Sequence, residues 1–148
     1  KPEITVALDE IEAEKGAKLE LRFHPGVDFD IKENFVLLTG KNGKIVHIPV
    51  AEENISIKPG KHACHYINAT NDFFWVPYFD IEVTSKNIKT DVATIILPVK
   101  DMEEAKQIIA SKEINKDKSG NLIVSFSANG EKLSYNFENK KGGLVLKM

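Results

Sequence analysis

Apolar and polar residues alternate with a period of two along most of this chain. Leu19, Leu21 and Phe23 fall on one face of an extended segment, while Glu20 and Arg22 fall on the other. This period is typical of strands that bury one face. The same pattern recurs in the segments 4–8, 27–31, 122–126 and 133–137, and the segments 35–38 and 45–50, which flank a turn, are also expected to be strands. The alternation therefore predicts a chain built mainly of half-buried β-strands.

Two Asn-Gly pairs separate neighbouring strand segments. Asn42-Gly43 lies between segments 35–38 and 45–50, and Asn129-Gly130 lies between the two alternating segments near the C-terminus. Asn and Gly tolerate positive φ, which a tight two-residue hairpin turn requires at both positions. We predict a hairpin at each pair, with positive φ at both of its residues.

One segment carries a helical pattern. Asp101 precedes an apolar stripe, and Glu104 follows Asp101 by three residues, which is typical of a capping-box start. The stripe has helical spacing and consists of Met102, Ala105, Ile108 and Ile109. The pattern predicts one short helix near 101–111 that lies on a sheet.

These elements predict the fold class. Short strands with turn signals every 8–12 residues are typical of an antiparallel sandwich. A last short strand is expected at 144–146, after the turn residues Lys140-Lys-Gly-Gly143. We predict an all-β fold, an antiparallel two-sheet β-sandwich of the supersandwich kind with one short helix, forming a single domain over residues 1–148.

Composition excludes several classes of protein. The 20 Lys and Arg residues and 22 Asp and Glu residues give a net charge of -2, so no global basic field would hold nucleic acid. The longest apolar runs, such as Val92–Pro98, fall far short of the ~20 residues that span a bilayer. The chain begins at Lys1-Pro2 without an initiator Met or an apolar leader, so we expect a processed form or an excised domain.

The histidines and the single cysteine are the candidate metal ligands. In a strand, His62 and Cys64 share a face and His65 points away, whereas His24 and His47 lie in other segments. A structural zinc site normally has four protein ligands and a catalytic one has three. We therefore expect no metal and no cofactor. A zinc enzyme centred on His62, Cys64 and His65 is the alternative, and stoichiometric bound zinc would support it.

Asp28 and Asp30 project together from one predicted strand face and resemble the paired carboxylates of a glycoside hydrolase. Neighbouring carboxylates on one strand share an environment, so nothing separates their pKa values into an acid and a base. We interpret them as a solvated polar face rather than as catalytic residues.

The segment 73–79 holds five aromatic residues in seven positions, the densest apolar group in the chain. In a strand one set fills the core while the other is exposed or packs on a neighbouring domain, and an exposed ring can stack on a sugar. Pro77 predicts that this strand lies at an edge or contains a bulge. The two sets are Phe73, Trp75 and Phe79 on one face and Phe74 and Tyr78 on the other.

Several short motifs resemble the C-terminal β-sandwich region of heparinase II/III-like polysaccharide lyases. In that family a strand ending in an Asp leads to a strand ending in a His, as in Lys1–Glu14 followed by Leu19–His24. An aromatic segment, a strand closed by Pro and a terminal hairpin follow. The matching segments here are Trp75–Phe79, Val92–Pro98, Gly120–Phe126 and Asn129–Tyr135.

The resemblance implies a non-catalytic chain. Such lyases carry their catalytic Asn, Tyr and His on an N-terminal helical toroid and their metal ligands on earlier strands, and neither motif occurs here. Asp9, His24 and Trp75 match recurring family positions, which implies roles in the sheet or at the domain interface. The parent protein would cleave a uronate polysaccharide by β-elimination. It would be bacterial and either periplasmic or secreted, because polymeric glycans do not enter the cytoplasm intact.

Two functions follow as expectations. In the first, the chain is the non-catalytic C-terminal domain of such a lyase and supports its missing N-terminal catalytic domain or shapes the substrate cleft. In the second, it is an autonomous carbohydrate-binding module in which Trp75 and Tyr78 form an exposed platform. The candidate substrate-binding residues are Trp75, Tyr78 and His24, the partner is a polysaccharide or oligosaccharide, and no catalytic residue is expected.

Overall fold

A computed structural model describes residues 4–65, 73–140 and 143–147 of the chain. Its described part contains one helix, α1 (Met102–Ala110), and twelve strands. The first six strands are β1 (Thr5–Glu12), β2 (Lys18–Phe23), β3 (Asp28–Ile31), β4 (Val36–Gly40), β5 (Gly43–Val50) and β6 (Ile55–His65). The others are β7 (Phe73–Thr84), β8 (Lys89–Val99), β9 (Glu113–Lys116), β10 (Leu122–Ala128), β11 (Glu131–Lys140) and β12 (Gly143–Lys147).

The strands form three antiparallel sheets. The central sheet has the order β1-β8-β5-β4-β3, the three-stranded sheet has the order β2-β7-β6, and the four-stranded sheet has the order β12-β11-β10-β9. The predicted all-β antiparallel sandwich with one short helix is thus confirmed. The predicted closing strand is confirmed as well, because β12 pairs with β11. The sandwich has three sheets where two were expected.

The central sheet is covered on both faces, which explains the third sheet. Leu37 of β4 packs into a core with the four-stranded sheet and α1, whereas its neighbours Val36 and Leu38 pack against the three-stranded sheet. β5 and β8 carry nearly continuous apolar runs rather than clean alternation. Such runs are typical of strands buried on both faces, so a layer is needed on each side.

Each core is dominated by a few fully buried side chains. On the side of the four-stranded sheet, Phe126 packs with Ile108 of α1 and Ile95 of β8. On the side of the three-stranded sheet, Phe79 and Ile81 of β7 are completely buried. Burial of such side chains stabilises the fold by roughly 1.5–3 kcal/mol each.

α1 begins and ends at side-chain hydrogen bonds. The Asp101 carboxylate accepts from the backbone N–H of Glu104 at 2.9 Å, and the Glu104 carboxylate accepts from the N–H of Lys100 at 2.6 Å. At the other end, the Ser111 hydroxyl accepts from the N–H of Ser127 in β10 at 2.8 Å. The predicted capped start is confirmed, and the last contact ties the helix end to the four-stranded sheet.

The two predicted hairpin turns differ. Asn129 and Gly130 have φ of 53° and 77°, so the turn between β10 and β11 has positive φ at both residues as predicted. At the other pair the predicted hairpin between β4 and β5 is confirmed, but Gly40 pairs with Gly43, so the turn residues are Lys41 and Asn42 and Asn42 does not have positive φ. Asn129 is the one non-glycine residue with positive φ in the described ranges. The ladder extends one residue further than expected, which places Lys41 at the hairpin tip.

The β6–β7 hairpin is longer than the strand beside it. β2 pairs with β7 only as far as Phe79, whereas β6 continues to pair with β7 up to Phe73. The first residues of β7 therefore have a partner strand on one side only. Pro77 lies in this stretch, where the missing N–H of proline is tolerated as on an edge strand. The predicted edge position of Pro77 holds locally, although β7 is the middle strand of its sheet.

Candidate functional site

The overhanging part of β7 presents aromatic side chains on both of its faces. Trp75 lies on the same face as Phe79, which points into the core, and Tyr78 lies on the opposite, outer face. Phe79 is completely buried, but Trp75 is 55% exposed because the overhang extends past the end of β2. The predicted alternation of the aromatic segment is confirmed, and the exposure of Trp75 is decided by the length of the hairpin.

Trp75 lines an open cleft of about 490 Å³. The cleft lies between the overhang and the β3–β4 corner of the central sheet. The ammonium group of Lys61 stands over the Trp75 ring, 5.1 Å from its centroid, and Phe73 contacts it edge-on with centroids 5.8 Å apart. Besides Trp75, the residues that line the cleft are Gly26, Val27, Asp28, Thr39, Gly40, Lys41, Phe74, Val76 and Pro77.

The cleft combines an exposed aromatic ring with polar groups on its opposite wall. The polar residues of the lining are Asp28, Thr39 and Lys41. Lys41 offers ammonium donors, whereas Asp28 and Thr39 pair with each other on the face of their strands opposite to Phe29 and Leu38. A few polar groups that face an apolar surface are the usual composition of a small-molecule site. An indole face with an ammonium group nearby suits a ligand with one apolar face and several hydroxyls.

A second group of side chains surrounds Tyr78 on the outer face of the three-stranded sheet. The Arg22 guanidinium carbon lies 3.9 Å from the centroid of the Tyr78 ring, a cation–π distance. The rings of His24 and His62 lie 5.6 and 5.8 Å from Tyr78, and 4.8 Å from each other. Gly60 lies opposite Tyr78 in the β6–β7 ladder. Tyr78 is therefore held by neighbours from both adjacent strands.

Ion pairs hold the rest of this outer face. Arg22 donates two hydrogen bonds to the buried carboxylate of Asp80, at 2.8 and 2.9 Å. Glu82 pairs with Lys18 at 2.7 Å and with Lys58, and these hydrogen bonds lower the pKa of Glu82 to about 2. The carboxylates of Asp80 and Glu82 on β7 are thus paired with cations from the flanking strands. Arg22 contacts both Asp80 and the Tyr78 ring.

The structure separates two of the three predicted sugar-binding residues. Trp75 and Tyr78 lie on opposite faces of β7, so they form no common platform and that part of the prediction is wrong. The reason is their odd separation of three residues in a continuous strand. His24 and Tyr78 do lie together, as part of the outer cluster.

The histidines do not form a metal site in the described part of the chain. His62 and Cys64 share a face as predicted, but no group of three His, Cys, Asp or Glu side chains there is arranged to hold a metal. The side chain of His65 lies outside the described residues. His47 packs edge-on against the stacked rings of Phe23 and Phe79, with centroids 5.5 and 5.7 Å away, and burial lowers its pKa to about 4.

Other predicted residues have simpler positions. Asp28 and Asp30 share one exposed face of β3 while Phe29 points inward, in agreement with the predicted solvated face. Asp28 also lines the Trp75 cleft. Lys41 and Lys61 were not singled out from the sequence, because only strand register brings Lys41 to the cleft and Lys61 to the Trp75 ring.

Comparison of the chain with protein-family models, with curated protein sequences and with solved structures gave no match. The resemblance to heparinase II/III-like lyases therefore rests on the sequence motifs alone. No helix among residues 4–65, 73–140 and 143–147 is long and apolar enough to cross a membrane.

Proposed function

We propose that this chain is a non-catalytic carbohydrate-binding domain that receives a sugar in the Trp75 cleft. The observation that carries the proposal is the 55% exposure of Trp75 at a cleft lined by Asp28, Thr39 and Lys41. A sugar ring offers C–H groups to an aromatic face and hydroxyls to the surrounding donors and acceptors. The cleft supplies both kinds of partner.

The position of Trp75 favours binding over a purely structural role. An aromatic side chain buried in a core contributes to stability, as Phe79 does four residues further along the same face. Trp75 gains much less from folding because more than half of its surface stays in water. Lys61 and Phe73 hold the ring in place while one side remains open to the cleft. A ring held in this way loses little conformational freedom when a ligand binds.

The sequence motifs support a wider context for this domain. We propose that it is the C-terminal part of a larger polysaccharide lyase of the heparinase II/III-like kind, periplasmic or secreted in a bacterium. In that setting the Trp75 cleft would hold polysaccharide near the catalytic domain and add no catalytic group of its own. Assay of the joined and separated domains on uronate polysaccharide tests this part.

Titration of tryptophan fluorescence with oligosaccharides tests the binding proposal. Trp75 is the single tryptophan of the chain, so the signal has one source. The panel contains uronate-containing and neutral oligosaccharides. A saturable change with one of them is expected. The absence of any change in a folded sample would contradict the proposal.

Matched variants locate the binding. Trp75→Ala is expected to abolish the heat of binding in calorimetry, where no tryptophan is needed. Tyr78→Ala, on the opposite face of the same strand, is expected to leave binding in place. Loss of binding in Tyr78→Ala but not in Trp75→Ala would move the site to the outer cluster and contradict the proposal.

A further inference from the structure

A second cleft adjoins the Trp75 cleft. Its volume is about 520 Å³, and the two clefts share Val27, Gly40 and Lys41 in their linings. Each volume lies within the ~300–1,000 Å³ that is usual for small-molecule sites. The remaining lining residues of the second cleft are Pro25, Leu38, Asn42, Gly43, Lys44, Ile45 and Pro98. The shared residues make the two clefts neighbours along one surface.

The floor of the second cleft is an uncovered corner of the central sheet. Ile45 pairs with Leu38 of β4 on one side and with Pro98 of β8 on the other, so the three side chains form one row. Leu38 belongs to the core beneath the three-stranded sheet, but Ile45 and Pro98 do not. Ile45 is 42% exposed as a result. The row of Leu38, Ile45 and Pro98 therefore begins in the core and ends at the solvent-exposed corner of the sheet.

Exposed apolar side chains concentrate along these two clefts. Val27 is 38% exposed and stands between them, with Ile45 on one side and Trp75 on the other. Lys41 lines both clefts, as Val27 does. Lys44 and Asn42 add hydrogen-bond donors along the second cleft. Two apolar patches with polar groups at their junction and along one side are suited to successive rings of one ligand.

We propose that the two clefts form one groove with two subsites, which binds a saccharide chain of at least two sugar units rather than a single terminal sugar. One ring stacks on Trp75, the next lies on Ile45 and Pro98, and Lys41 contacts an oxygen near the linkage between them. This inference rests on the proposed carbohydrate-binding function and adds the length of the ligand to it.

On the floor of the second cleft, the strand pairing favours a saccharide over an extended peptide, although the first residues of β7 beside the Trp75 cleft have a partner strand on one side only. β4, β5 and β8 are each paired on both sides, so the floor offers side chains and no free backbone edge. An extended peptide bound by strand addition needs such an edge. The groups available to a ligand here are apolar side chains and side-chain donors, which match the faces and hydroxyls of sugar rings.

A length series tests the proposal. The fluorescence of Trp75 is titrated with the monosaccharide, disaccharide and tetrasaccharide of the best ligand from the panel. The affinity of the wild-type chain is expected to rise about tenfold or more from the monosaccharide to the tetrasaccharide, because the second ring adds a linked contact. Ile45→Ser is expected to remove this gain and to leave the affinity for the monosaccharide unchanged.

Two further variants keep the test independent of folding. Asn42→Tyr lies on the turn and narrows the second cleft without altering its floor, so it is expected to reduce the gain as well. Ile88→Ser changes another exposed isoleucine, which lines neither cleft, and is expected to keep the full gain. Thermal unfolding confirms that each variant is folded.

The outcomes separate this proposal from the function on which it rests. Equal affinity for all lengths, with binding still dependent on Trp75, would overturn the groove and leave a one-sugar site. A gain with length that persists in Ile45→Ser and Asn42→Tyr would overturn the second subsite. Binding of an apolar peptide that is lost in Ile45→Ser, with no saccharide bound at any length, would overturn both proposals.

Discussion

Gly60 lies directly opposite Tyr78 in the β6–β7 ladder, and the Tyr78 ring occupies the space that a Cβ at position 60 would need. Position 60 therefore requires a glycine, because the Tyr78 side chain approaches the backbone there too closely for a Cβ. The ring that lies across Gly60 is the one that Arg22, His24 and His62 contact. This single pair fixes the geometry of the outer cluster.

Gly60→Ala is expected to displace the Tyr78 ring and to lower the free energy of unfolding by roughly 1–3 kcal/mol, the usual cost of overpacking. Denaturant unfolding measures the change. In a Tyr78→Ala background the same substitution should cost much less, because the overlapping ring is gone. An equal cost in both backgrounds would show that the ring is not what excludes a side chain at position 60.

His47 makes stability depend on pH. Its pKa is about 4 in the folded chain, because the ring is largely buried against Phe23 and Phe79, and the ordinary value is 6.5. Below pH 6.5 the unfolded chain takes up a proton that the folded chain does not. The stability conferred by the neutral ring is therefore fully present above pH 6.5 and is lost as the pH falls toward 4.

Between pH 7 and pH 5 this loss is expected to be about 1–2 kcal/mol. His47→Leu places an apolar side chain against the same two rings and removes the titratable group. The stability of this variant should therefore change less between pH 7 and pH 5. The measurement is denaturant unfolding at several pH values. Parallel pH profiles for the two proteins would contradict the assignment to His47.

Asp91 is expected to destabilise the fold at neutral pH. It lies directly opposite Glu10 in the β1–β8 ladder, and burial, together with the Glu10 charge, raises its pKa. For an acid whose folded pKa is raised, the charged form opposes folding. The penalty is present at pH 7 and disappears as the pH falls below the ordinary value of 3.8.

Asp91→Asn should therefore raise the free energy of unfolding at pH 7, and this gain should disappear at pH 3. Asp30→Asn, on the exposed face of β3, is the matched control and should change stability by less than about 0.5 kcal/mol. Urea unfolding at pH 7 and at pH 3 compares the two. A lower stability of Asp91→Asn at pH 7 would refute the predicted sign.

The N-cap of α1 supports the next prediction. Asp101→Ala removes the acceptor for the N–H of Glu104 and is expected to cost about 1 kcal/mol. Asp101→Ser keeps an acceptor at the same place and should retain most of that stability. Thermal and denaturant unfolding measure both variants. An equal loss of stability in Asp101→Ala and Asp101→Ser would show that the Asp101 carboxylate does not stabilise the helix by capping it.

Local features of this chain were readable from the sequence because they depend on neighbours along the chain. The alternation of Leu19, Leu21 and Phe23 predicts a half-buried strand, and β2 is one. The Asp101 cap and the Asn129-Gly130 turn depend on hydrogen bonds and φ angles within a few residues. The opposite faces of Trp75 and Tyr78 also followed from their spacing, and a common platform should not have been expected.

The third sheet was indicated by the sequence pattern, but the prediction of two sheets did not take this into account. Segment 45–50 and segment 92–98 are apolar at nearly every position. Such runs indicate strands that are buried on both faces, and hence a layer on each side of the central sheet. Two sheets cannot provide this, whereas three can.

The alternating pattern and the turn chemistry by themselves determined the all-β class, many of the strand positions and the short helix, since these depend on local periodicity. Only the tertiary structure decided which strands pair, how far β6 and β7 extend past β2, and which apolar side chains remain in water. Trp75, Val27 and Ile45 have the pattern of buried residues, yet each lies where a covering strand ends. Coverage depends on strands distant in sequence, and the candidate groove exists because of it.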